Sequence, residues 1–475
     1  MNNETLATVY HGIIIHSLDI GNLEFIRNGL LAVHPDGHIA FLERDVGQLV
    51  KEHLFIIFSY SQVVTLSKHQ FLIPGFIDTH AHAPQYVYAG TGLDLPLLNW
   101  LSTYTFPRES AFSSPTYALD VYKRVISRFL RNGTTTCAWF ATIHLEATKL
   151  LVDVIRANGQ RAFVGKVNMD TCGPDYYVEK IDDSVKSTRD FIQYVLDSEP
   201  DTSKSSNSSN TAKPTRLVTP IITPRFAVSC TAPLLDSLST LASEHDLPIQ
   251  SHLSENPSEC ELVQSLFPHC RDYTSVYDHY KLLTPRTIMA HGIHLSSEEI
   301  AILRDRGTGI SHCPNSNFAL QSGVCDVRRL LNAGVKVGLG TDVAGGYAPS
   351  ILDAVRQAMT ASKACKIQYL ARAEERVERD PDYNVLTIPE VFYLATMGGA
   401  KLLNLEDVVG NFVPGKEFDA LLVDVGVADG PIDVFDHDTT ESLFEKFLYL
   451  GDERSLRAVW VKGRRVAGSS NSDEF

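Results

Sequence analysis

No apolar run in the chain approaches the ~20 residues that a membrane-spanning helix needs. The longest, Leu54-Phe55-Ile56-Ile57-Phe58, is the size of a strand. No Cys-x-x-Cys pair occurs among the eight cysteines, which lie at irregular spacings from Cys137 to Cys365. A disulfide framework is therefore not expected, and the thiols read as reduced, buried cysteines of a cytoplasmic protein. Positive charge is in deficit: 42 Lys and Arg stand against 57 Asp and Glu, a formal net charge of −15. That balance argues against an extended face for nucleic acid. Met1-Asn2-Asn3-Glu4-Thr5 has no basic n-region, so neither a secretory signal nor a common lipid anchor is expected. P-loop, Gly-x-Ser-x-Gly and His-Glu-x-x-His motifs are missing, and Gly338-Leu339-Gly340 lacks the third glycine of a dinucleotide turn. His144-Leu145-Glu146 has no Pro-Cys-x-x-Cys to accompany it, which sets aside the cytidine-type zinc deaminases.

What is present is an ordinary globular composition. Of the 475 residues 44% are hydrophobic and 21% charged, enough for a large core. Eight short apolar runs read as strands: Phe71–His80, Thr134–Ala141, Arg161–Asp170, Leu217–Pro224, Pro248–His252, Thr287–His291, Gly309–His312 and Val335–Asp342. Helix-like patterns alternate with them. Ala118–Leu130 is one; Ser296–Arg306 is another, where Ser296 and Glu299 have capping-box spacing. The alternation predicts the α/β class, as a closed parallel (β/α)8 TIM-like barrel over residues 71–410. Both chain ends carry strand-like pieces, such as Ala420–Val425 and Ala458–Lys462. They predict a small composite β-sandwich made from residues 1–70 and 411–475. The stretch 197–215 is rich in Ser and Asn and holds no large apolar residue. It is expected to be a flexible insertion on the barrel face opposite the site.

The chemistry lies at the strand ends. The first run closes on His80-Ala81-His82. Side chains alternate along a strand, so both imidazoles face one side, as a pair of metal ligands would. Later runs end in His252, His291 and Asp342. Active sites of (β/α)8 barrels are built at the C-terminal ends of strands, so these five residues should converge. Such a mixed nitrogen and oxygen set suits zinc, with iron as the alternative. Glu255, three residues beyond His252, is placed to carry protons for a hydrolytic metal site.

These ligands resemble the pattern of the amidohydrolase superfamily, and its mononuclear zinc deaminase branch in particular. Further segments extend the likeness over nearly the whole chain, among them Asp94–Leu101, Tyr104–Pro107, Thr223-Pro224-Arg225-Phe226, His312–Asn317 and Gly340–Gly346. They are most similar to the guanine-acting members. The resemblance implies one zinc per subunit held by His80, His82, His252 and Asp342. It implies that His291 orients the attacking water, that Glu255 shuttles protons, and that the subunits form a homodimer. Gln85 and Arg225-Phe226 would bind the purine, in contact with His82, His252, Glu255 and Asp342. Arg can donate to both acceptors on one guanine edge, and Phe226 or Trp100 could cover a ring face, although Trp100 reads first as core. Binuclear relatives carry a bridging Lys where Pro224-Arg225-Phe226 stands, so one metal is expected. Competing readings are a deaminase of a related purine or a triazine, and a non-catalytic scaffold.

Overall fold

The computed structural model describes residues 8–48, 62–198, 216–371 and 383–468. The N-terminal part supplies five strands: Thr8–Asp19 (β1), Asn22–Val33 (β2), Ile39–Glu43 (β3), Gln62–Thr65 (β4) and Gln70–Pro74 (β5). The barrel strands follow. They are Phe76–His82 (β6), Thr134–Phe140 (β7), Arg161–Gly165 (β8) with Val167–Asn168 (β9), and Val218–Pro220 (β10) with Thr223–Pro224 (β11). Ile249–Leu253 (β12), Thr287–His291 (β13), Gly309–His312 (β14) and Val337–Leu339 (β15) complete the ring. Ala420–Asp424 (β16), Leu456–Val461 (β17) and Arg464–Ala467 (β18) come last.

The barrel is two parallel arcs, β10-β8-β7-β6 and β12-β13-β14-β15. One seam is closed by a parallel bridge between Ile222 and Ile249. At the other, Asp342 N donates to His80 O (2.9 Å) and Thr79 Oγ1 donates to Leu339 O (2.9 Å). Strands such as β7 are buried at every position, which explains their unbroken apolar runs. The expected helices are present as Pro115–Arg131 and Ser297–Arg306. Ser296 Oγ accepts a hydrogen bond from Glu299 N, and Ser296 N in turn donates to the Glu299 carboxylate. Ser296→Ala is expected to lower the unfolding free energy by about 1 kcal/mol, read from the urea midpoint at unchanged m-value.

Two expectations are corrected. The run Phe71–His80 is not one strand: Gln70–Pro74 belongs to the appended sheet and Phe76–His82 to the barrel. Gly75 is the joint, because a Cβ there would come within 2.1 Å of the Thr135 side chain. The chain ends do combine, through β5 pairing antiparallel with β16 and parallel with β1. The product is one hydrogen-bonded sheet, β18-β17-β16-β5-β1-β2-β3 with β4 on β1, not two stacked sheets. It curls until Tyr10 meets Phe418 and Trp460 at ring separations of 5.2 and 5.5 Å. Arg161 joins sheet and barrel. Its buried guanidinium donates to Asp419 Oδ2 (3.1 Å) and Oδ1 (3.2 Å), and to Glu417. Leu54–Phe58 and all of the 197–215 stretch after Ser198 lie outside the described residues. Among those described, no helix is long and apolar enough to cross a membrane.

Candidate active site

His80, His82, His252 and Asp342 are buried, and each offers a ligand atom within 4.8 Å of the others. Asp342 Oδ1 lies 3.1 Å from His80 Nε2 and 3.4 Å from His82 Nε2. His82 Nε2 and His252 Nε2 stand 3.2 Å apart. His252 Nδ1 is 2.5 Å from Arg225 O, a carbonyl that can only accept, so Nδ1 carries the proton and Nε2 offers its lone pair. Burial lowers the pKa of all three histidines, that of His82 to about 4. They are neutral at pH 7, the form that ligates metals. Burial alone would raise Asp342; its close histidine neighbours, His80 first, outweigh it and hold the carboxyl well below the usual range. Three imidazole nitrogens and one carboxylate, converging with lone pairs inward, fit a divalent metal.

The backbone bends hard to bring these groups together. His291 has φ 73° and Asp342 φ 48°, left-handed values that cost a non-glycine residue about 1–3 kcal/mol. Asp78, beneath the site, accepts from Thr341 N (3.1 Å), Thr341 Oγ1 (2.5 Å) and His80 N (3.1 Å). It thereby ties the end of β6 to the Asp342 turn, and burial pushes its carboxyl up to about 7.

Above this group opens a pocket lined by His82, Gln85, Leu97, Trp100, Leu101, Arg225, Phe226, His252, Glu255, His291, Leu320 and Asp342. Glu255 Oε2 lies 3.4 Å from His291 Nε2, and Ser322 Oγ donates to Glu255 Oε1 (3.3 Å). Burial, then the charges of Glu259 and Asp342, push the Glu255 carboxyl well above its ordinary value. His291 Nδ1 is 2.9 Å from Asn317 Oδ1, which can only accept, so His291 Nε2 is free to accept in the pocket. Trp100 is both core and lining: it is 3% exposed, packs edge-on against Tyr88, and still borders the cavity.

Every residue expected at the site reaches it, with His80 buried among the ligands. Three supporting residues escaped the sequence reading. Glu109 pairs with both terminal nitrogens of Arg225 (2.6 and 3.2 Å). Tyr177 donates its hydroxyl to Glu109 (2.6 Å). Glu259 accepts from Glu255 N (2.9 Å) and Asn256 N (3.1 Å), closing the capping box that sets the Glu255 backbone. The Asn256–Glu259 spacing was the one local signal available for any of them.

Comparison with known proteins agrees with this architecture. Residues 71–466 match the amidohydrolase family. Guanine deaminase from Dictyostelium discoideum is 45% identical over 474 residues, spanning 98% of this chain and 99% of that protein. The Homo sapiens guanine deaminase is 44% identical over 475 residues, 98% of each. The crystal structure of guanine deaminase from C. acetobutylicum, with guanine bound in its active site, superposes with a TM-score of 0.82 at 35% identity, covering 96% of this chain and 99% of that one. The chain belongs to the amidohydrolase family, a metal-dependent group, and within it to the guanine deaminases.

Proposed function

We propose that the protein hydrolyses guanine to xanthine and ammonia. The observation that carries this is that one pocket joins the His80, His82, His252 and Asp342 group to Glu255 on one side and to Gln85, Arg225 and Phe226 on the other. In this reading the four ligands hold one zinc per subunit, which would supply a water activated for attack at neutral pH. Gln85 and the Arg225 N–H groups hold the polar edge of the purine, while Phe226 and Trp100 lie against its faces. His291 directs the water through Nε2, with Asp342 3.7 Å away to share its proton. Glu255 protonates ring nitrogen N3 as C2 becomes tetrahedral. Recharged with the proton that the water lost, it then delivers that proton to the amino group, which leaves as ammonia while the added hydroxyl returns its own proton to Glu255 and becomes the carbonyl.

We read the chain further as a cytoplasmic homodimer, divided into a barrel that begins after the Gly75 joint and runs to about residue 410, and a unit made of both chain ends. The eight cysteines are all free, which suits a reducing compartment. The experiment is metal analysis of the purified protein coupled to ammonia release from guanine, adenine, cytosine and guanosine. Zinc near one equivalent and release from guanine above the other three is the expected result. A metal-free protein inactive on all four would reject the reading.

A further inference from the structure

We infer that Glu109 sets the pocket's choice between neutral and anionic purines, by keeping Arg225 as one half of a neutral pair. The inference rests on the purine reading above and deepens it. Glu109 is fully buried in the helix Phe106–Ser110, and its carboxylate accepts four hydrogen bonds. Oε2 takes Arg225 Nη1 (2.6 Å) and the Tyr177 hydroxyl (2.6 Å); Oε1 takes Arg225 Nη2 (3.2 Å) and Gln85 Nε2 (2.9 Å). One anion therefore holds both residues assigned to the purine edge. Gln85 is fixed at its other end as well, because its Oε1 accepts from Ala344 N (3.3 Å). Arg225 also lies over the Phe106 ring, 5.3 Å from its centre.

The charge balance follows. Among the described residues that line the pocket, Arg225 is the permanent cation, and Glu109 cancels it at contact distance. The guanidinium then meets ligand as a set of oriented donors with little net charge. Guanine is neutral and needs no more. Hydrolysis replaces the amino group with a carbonyl, and the dioxopurine product has a more acidic ring N–H than guanine. An unbalanced Arg225 would hold the product anion, whereas the pair lets it go. Glu109 is thus a positioning and specificity residue that touches no reacting atom.

The test compares wild type with Glu109→Gln, which keeps the shape and removes the charge. Inhibition constants for xanthine and for hypoxanthine, the neutral control, are measured from mildly acidic to mildly alkaline pH. In Glu109→Gln, xanthine should tighten relative to hypoxanthine by about tenfold or more at the alkaline end, the weight of one charge-assisted hydrogen bond. Over the same range kcat/KM for guanine should fall. Equal weakening of both ligands at every pH would show a purely structural role and overturn the inference. Should Glu109→Gln fail to fold, Glu109→Asp keeps the charge but draws it back from Arg225. It should move the ratio the same way by a smaller factor, and an unchanged ratio would overturn the inference too. A wild-type protein that released no ammonia from guanine would instead overturn the purine reading, and the inference with it.

Discussion

Asp342→Asn is expected to fold and to lose more than about 100-fold in metal affinity, with turnover falling to the level of chelator-treated wild type. The bound stands above the 10–100-fold that changes to a ligand's outer partners cost, because here the ligand itself is altered. Asp342 is the one carboxylate in a set whose three other members are neutral histidines. With Asp342 ionised, a divalent ion and its four ligands carry a net charge of one; with an amide they carry two, in a buried site that screens charge poorly. The fold should survive, since Asp342 N still donates to His80 O and the left-handed turn suits asparagine at least as well as aspartate. Metal content after dialysis and the melting temperature with and without added zinc check this. Wild type should gain melting temperature from zinc by mass action, and Asp342→Asn should not. Retained metal with lost turnover would mean that Asp342 receives a proton but does not ligate.

The barrel was legible because its strands are buried on both faces and stand out as apolar runs. The site histidines were legible because His80, His82 and His252 of the candidate metal group, and His291 beside it, fall at or next to the ends of those runs. Two kinds of information were not local enough to read. One is backbone direction. Nothing in Phe71–His80 shows that the residues before Gly75 pair with β16, some 350 positions later, while those after it pair with β7. The other is the buried polar partner. Glu109 follows Phe106-Pro107-Arg108 in a short helix, where a lone carboxylate reads as a solvated charge. Its partners Arg225 and Tyr177 lie 116 and 68 residues away, so only the closed barrel shows that its charge is paired. The left-handed φ of His291 and Asp342 has only a weak residue signature: neither position is glycine, and the modest tolerance of Asp and His for this region does not single them out.

Glu255→Gln should keep its metal and lose about 10²- to 10⁴-fold in kcat on guanine, with a much smaller change in KM. The amide preserves the side-chain shape and can still accept from Ser322. Its backbone stays fixed, because the bonds from Glu255 N and Asn256 N to Glu259 do not involve the altered group. What the amide cannot do is take up a proton and give it back. The carboxyl is suited to that exchange: burial and the neighbouring charges of Glu259 and Asp342 raise it well above its ordinary value, so it holds a proton more readily than a solvated carboxylate. Two transfers depend on it, one to the ring nitrogen and one to the departing amine. A guanine analogue with chlorine in place of the amino group removes the second, since chloride leaves without a proton. Glu255→Gln should therefore damage turnover of the chloro compound less than that of guanine. Equal damage on both would confine Glu255 to the ring nitrogen. Near-normal turnover of guanine with metal bound would remove it from proton transfer, leaving His291, 3.4 Å away, as the group to test next.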